Sequence, residues 1–131
     1  MPLVTPEHEE LLAARVAVLA TNGDDGRPQL SAVWFLAEDD CVKISVTAAR
    51  QKTRNLLKDP RCTFFAFHPS SPNYYLEIRG DAEIQPDPDR HFADRISAMY
   101  DYNLRDLDAA DDTRVELTIR ATKVNVIDVR D

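Results

Sequence analysis

Arg50-Gln-Lys52-Thr53-Arg54-Asn55-Leu56-Leu57-Lys58-Asp59-Pro60-Arg61 lies near the middle of a 131-residue chain. It holds five basic side chains against one acid, in a protein whose formal net charge is −7. An acidic protein repels polyanions in general, so a lone positive island is a local device. The stretch reads as a helix. Thr47 can cap it, Leu56 and Leu57 give it an apolar side, and Asp59-Pro60 stops it, because the residue before proline is pushed out of the helical region. Acids usually occupy a first turn, where free N–H groups carry partial positive charge. Here Arg50, Lys52 and Arg54 add cations to that end. Such an end stabilises a bound phosphate or carboxylate. The alternative is a solvated face whose cations pair with surface acids.

The segments on either side read mostly as strands. Val16–Thr21 is a near-continuous apolar run, the turn cluster Asn22–Pro28 follows it, and Gln29–Leu36 resumes as a second strand. Cys41–Val46 alternates, with Val42, Ile44 and Val46 on one side. After the basic helix, Cys62–His68 (CTFFAFH) is an aromatic strand, and the loop Pro69–Asn73 leads to Tyr74–Ile84, where Gly80 suggests a bulge. Thr5-Pro6 opens a short N-terminal helix and Pro86-Asp-Pro-Asp89 another, with Phe92, Ile96 and Met99 along one core-facing stripe. Asp106–Asp112 reads as an exposed acidic loop, and Arg114–Val129 as a last alternating strand. The pattern predicts a mainly β fold: about six antiparallel strands with three short helices, closed or strongly curled so that sheet edges are hidden, in a single domain over residues 1–131.

Composition narrows the function. No run approaches the roughly 20 apolar residues of a membrane helix, and the acidic N-terminus is wrong for a secretory signal, so a cytoplasmic protein is expected. The acid-rich surface disfavours nucleic acid. Cys41 and Cys62 read as buried reduced thiols, and His8, His68 and His91 form no metal signature. There is no glycine-rich phosphate loop, no nucleophile elbow and no serine with an evident histidine partner. No catalytic side chain is assigned. If the protein is an enzyme, an organic cofactor brings the reactivity.

The ordered set Gly26-Arg-Pro-Gln29-Leu-Ser31-Ala-Val33, an alternating strand, the basic helix and an aromatic strand resembles the split β-barrel flavin-binding family of the pyridoxamine-phosphate oxidase type. The closer likeness is to its branch of short oxidoreductases that use the deazaflavin coenzyme F420. It runs from about Val16 to Val126. The resemblance implies a cofactor phosphate held by Arg50, Lys52, Thr53 and Asn55. It places Gln29, Ser31 and Val33 beside the ring, and Ser45 and Val46 on the strand end leading to the phosphate helix. It puts Tyr74 where similar proteins offer an aromatic to the partner subunit's cofactor, and it implies a homodimer with cofactor clefts at the interface. Ala32 departs from the pattern, at a position where relatives can carry a polar residue near the ring.

The function so implied is hydride transfer from reduced F420 to a conjugated, electron-poor small molecule. The proton would come from water or a tyrosine such as Tyr74 or Tyr75. The alternatives are an FMN-binding relative, with oxidase chemistry, and a non-catalytic cofactor carrier. Trp34-Phe35 reads as core or dimer interface.

Overall fold

A computed structural model describes residues 2–130. Seven strands form one antiparallel sheet: β1 (Ala17–Asn22), β2 (Pro28–Val33), β3 (Leu36–Glu38), β4 (Cys41–Thr47), β5 (Arg61–His68), β6 (Ser71–Pro86) and β7 (Arg114–Asp128). Two α-helices, α1 (Gln51–Lys58) and α2 (His91–Tyr100), and two 3-10 helices, Pro6–Ala13 and Leu104–Leu107, complete the element order. The mainly β reading holds, with one strand more than expected. The run read as Gln29–Leu36 is broken at Trp34-Phe35 into β2 and β3.

That break sets the architecture. The strands lie in the order β2-β1-β5-β6-β7-β4-β3, so the two edge strands are neighbours in sequence. In a flat sheet, seven strands at the usual spacing would hold their edges about 29 Å apart. A link of Trp34 and Phe35 spans at most about 11 Å. The sheet must therefore curl until its edges nearly meet, giving a split barrel rather than a closed one. Because β3 pairs only with Cys41–Lys43, the outer edge of β4 from Ile44 to Thr47 is left facing the split.

The inside of the curl is the main core. Leu19, Phe64, Leu76, Ile78, Val42, Ile44, Leu117 and Ile119 are all almost fully buried, and Phe35 meets Phe64 edge-on, ring centroids 4.9 Å apart. Leu11 of the first 3-10 helix and Leu56 of α1 pack against the same cluster. Gly80 marks the expected irregularity: the β6–β7 register shifts between Arg79 and Gly80, and a Cβ there would run into the Arg120 carbonyl. Both cysteines are buried and free, and burial, with Asp81 adding to it, pushes the Cys62 thiol up to about 12. No helix among the described residues is long and apolar enough to cross a membrane.

Four local expectations need correction. Residue Arg50, not Thr47, occupies the α1 N-cap; the Thr47 carbonyl instead accepts hydrogen bonds from the Arg50 N–H and the Thr53 hydroxyl. The inner side of α1 is Thr53, Asn55 and Leu56, while Leu57 is exposed. Met99 is 46% exposed and lies off the buried stripe of Phe92, Ala93, Ile96 and Tyr100. The acidic loop is not wholly exposed either: Asp108 is buried between two arginines. Where α2 starts, the turn chemistry was legible, because the Asp87 carboxylate accepts the N–H groups of Phe92 and Ala93 at 3.2 and 3.0 Å.

Candidate functional site

A cleft of about 400 Å³ opens at the split. β2 and its continuation supply Ser31, Val33 and Trp34; β4 supplies Ile44, Ser45, Val46 and Thr47; the start of α1 supplies Arg50 and Lys52. Ile96, Leu104, Leu107 and Arg114 come from α2, the turn after it and β7. Each edge strand keeps one row of backbone donors and acceptors outside the sheet ladder, so the split offers polar main chain beside apolar side chains.

The cations at the α1 start have no acidic partner among the described residues. Burial pulls the Lys52 ammonium below its ordinary range, and the Arg50 charge beside it adds to that. No carboxylate offsets either effect. Lys58 at the other end of α1 contrasts with this, since its ammonium lies 2.9 Å from the Asp24 carboxylate. An unpaired, partly desolvated ammonium next to a guanidinium and a helix N-terminus is arranged for a bound anion.

The helix is held by a relay of neutral hydrogen bonds. Gln51 Nε2 donates to Asn55 Oδ1 at 2.7 Å, Asn55 Nδ2 donates to Thr21 Oγ1 at 3.1 Å, and Thr21 Oγ1 donates to Gln29 Oε1 at 3.1 Å. Thr53 Oγ1 donates to the Thr47 carbonyl at 2.9 Å. Thr53 and Asn55 are buried at 1% and 2% exposure, so they anchor α1 to β1 and β4 and do not line the cleft. Gln29 also lies outside the lining; through Thr21 it ties the ring-side strand to the helix.

Of the residues singled out from the sequence, Ser31, Val33, Ser45, Val46, Arg50 and Lys52 meet in the cleft. Tyr74 does not. It is fully buried on β6, its hydroxyl 2.7 Å from His8 Nδ1, its ring stacked with His68 and covered by the Arg130 guanidinium at 3.9 Å. Burial, with Glu10 adding to it, pushes its hydroxyl above the ordinary range, so neither exposure nor acidity suits it to meet a partner's cofactor or to donate a proton. Tyr75 belongs to the outer sheet face, beside Phe65 and Ile127.

Two features were missed. Ser31 Oγ is the one buried side-chain polar atom among the described residues without a hydrogen-bond partner. Such an orphan is rare and marks a place where a ligand can complete the bonding. Arg114 is the other: its guanidinium grips Asp108 at 2.7 and 3.0 Å and donates to Ser45 Oγ at 3.4 Å, while Arg90 meets the same carboxylate at 3.2 Å. The Arg114 contact holds the Asp108 carboxyl below the usual carboxylate range. Only the placing of an arginine at the head of an alternating strand hinted at this in sequence.

A family model described as pyridoxamine 5'-phosphate oxidase matches residues 4–128. The chain belongs to the pyridoxamine 5'-phosphate oxidase family. A solved structure named F420 reductase is similar to this family member at 34% identity and a TM-score of 0.83, covering 93% of this chain and 98% of the other. A conserved hypothetical protein from Mycobacterium tuberculosis is 23% identical, with a TM-score of 0.69 over 97% of this chain and 86% of that one. General Stress Protein 26 from Bacillus anthracis is 19% identical, with a TM-score of 0.70 over 94% and 95%. These last two likenesses speak for the shared split barrel. The residues present fit a cofactor of the family's kind: an unpaired cation pair for a phosphate, an orphaned hydroxyl for a polar ring edge, and apolar walls between them.

Proposed function

We propose that this family member is an oxidoreductase that binds the deazaflavin coenzyme F420 in the split and reduces a conjugated, electron-poor small molecule. The observation that carries the reading is the acid-free pair Arg50 and Lys52 in one cleft with the orphaned Ser31 hydroxyl. The neighbour named F420 reductase, alike over almost the whole of both chains, favours F420 over FMN. Reduced deazaflavin bound there supplies a hydride, two electrons with one proton, and a second proton from water completes the saturation of the substrate's double bond as oxidised coenzyme is left.

The chain's own residues bind and orient. Arg50, Lys52 and the first N–H groups of α1 hold the phosphate. Thr53 and Asn55 keep that helix end in place from behind, and Ser31 donates to or accepts from the ring's polar edge. Val33, Ile44 and Val46 exclude water from the ring side. No His, Asp, Glu, Cys or Tyr lines the cleft among the described residues, which suits chemistry in which side chains position and do not react.

A second copy of the chain is proposed to cover the outer sheet face, where Leu30 is 63% and Phe67 50% exposed and the register sets Ala32, Val18 and Phe65 in one cross-strand row. The activity is tested by reducing the F420-loaded protein, adding menadione and following the return of the oxidised coenzyme's absorbance. Return well above the rate with free reduced coenzyme is expected. A rate equal to that of free coenzyme would leave only a carrier.

A further inference from the structure

The cations and Ser31 account for only part of the cleft. The rest of its lining, Trp34, Ile96, Leu104 and Leu107, comes from the β2–β3 link, α2 and the turn after it. Trp34 is the chain's single tryptophan. Its indole stacks on Tyr100, ring centroids 4.7 Å apart and planes 8° from parallel, and Tyr102 meets it edge-on at 5.7 Å.

Tyr100 is itself clamped. The Arg15 guanidinium carbon stands 4.6 Å from its ring centroid, and two groups that close to one ring cannot share a face, so Arg15 and Trp34 sandwich it. Arg15 also donates to the Met99 and Tyr100 carbonyls, each at 3.4 Å. The Tyr100 hydroxyl accepts the Phe35 N–H and donates to the Phe35 carbonyl, both at 3.0 Å. The residue next to Trp34 is thus pinned through the ring on which Trp34 stacks. Held this way, the indole stays only half-buried at the cleft, and Leu107 on the short turn is 59% exposed.

We propose that Trp34, with Leu107, is the substrate-recognising wall of the cleft, taking a flat, uncharged, conjugated molecule by ring stacking. The proposal rests on the coenzyme reading above and adds which residues choose the substrate. Charge excludes other classes: the charged lining residues are Arg50, Lys52 and Arg114, all cationic. A cationic substrate is repelled, and an anionic one is drawn to the cations that hold the coenzyme's phosphate. The electron-rich indole face favours the same electron-poor π-systems that accept a hydride. A pre-positioned ring also costs less entropy to bind against than a mobile one.

The experiment uses the F420-loaded protein with menadione, a flat uncharged quinone, as probe. For Trp34→Ala the KM for menadione should rise about tenfold, with kcat and the coenzyme Kd within about twofold of wild type; Trp34→Phe should recover most of the loss. For Leu107→Ala a rise of about threefold is expected. Menadione should quench the emission of Trp34 saturably, and the half-point should move to higher concentration in Leu107→Ala. Should Trp34→Ala fail to fold, Trp34→Phe, Leu107→Ala and the quenching curve decide. An unchanged KM in Trp34→Phe and Leu107→Ala with unsaturable quenching overturns the proposal. So does a coenzyme Kd that weakens as much as KM, which would give the wall to the coenzyme. Failure of the coenzyme reading looks different: wild type then binds no F420, while saturable quenching by menadione alone still supports the wall.

Discussion

Replacing Lys52 by Ala should separate the anion site from an ordinary charged helix face, with Lys58→Ala as its control. Both lysines belong to the same eight-residue helix. Lys52 lies in the cleft with no acid beside it, while Lys58 is exposed and paired with Asp24 at 2.9 Å. A charge-assisted contact to a phosphate contributes about 1.5–3 kcal/mol, so Lys52→Ala should weaken coenzyme binding about ten- to a hundredfold. An exposed ion pair is worth about 0–1 kcal/mol, and Lys58→Ala removes nothing from the coenzyme, so its Kd should stay within about twofold. The unliganded protein should respond in the opposite sense. The folded state lowers the Lys52 pKa, so over the window between the folded value and the ordinary one the unfolded chain binds more protons and stability rises with pH. Below that window the buried charge costs stability in full. Lys52→Ala should therefore raise the melting temperature slightly at neutral pH, with the gain fading as pH climbs past the ordinary lysine value. Added salt should weaken binding to wild type more than to the variant. Fluorescence titration of the coenzyme gives the affinities and a thermal melt the stability. Equal affinities for the two folded variants would refute the reasoning.

Ser31→Ala should leave the unliganded protein as stable as before or about 1 kcal/mol more stable, since it removes an unpaired buried hydroxyl, while coenzyme affinity falls about two- to tenfold; a melt and the same titration check both. Asp108→Asn leaves Arg114 buried without its counter-charge and should cost about 3 kcal/mol in urea denaturation at neutral pH. Because the folded state lowers the Asp108 pKa, that difference should be present above the ordinary carboxylate range and disappear as pH falls through it toward the folded value. Light scattering on the coenzyme-loaded protein should give twice the chain mass, and Leu30→Glu with Phe67→Glu should halve it; a monomeric wild type at micromolar concentration would count against the covered face.

The strands were legible because half-buried strands alternate: Val42, Ile44 and Val46 stand out against Lys43 and Ser45, and their burial follows the same parity. Gly80 and Asp87 were legible because a close backbone approach and a helix start each demand a particular residue type. The split itself was not, since nothing local distinguishes a strand that crosses from one sheet edge to the other at Trp34-Phe35 from one that runs on. Charge reasoning located Arg50 and Lys52, because an unpaired cation cluster is a property of sequence as much as of structure. It misjudged Thr53 and Asn55 as ligand contacts, because a polar residue buried for a relay to Thr21 looks the same in sequence as one offered to a ligand. Arg114 and Asp108 escaped notice for a related reason: an acid in an acidic loop gives no sign of its buried partner until the fold brings them together.

Affinity for F420 compared with FMN, measured side by side on the purified protein by fluorescence titration, tests the central claim most directly. Both ligands carry a phosphate for Arg50 and Lys52, so the comparison reads the ring side of the cleft, where Ser31, Val33 and Val46 lie. F420 should bind at least about tenfold more tightly, a difference of about 1.4 kcal/mol. Tighter binding of FMN, or no saturable binding of F420, would contradict the deazaflavin assignment.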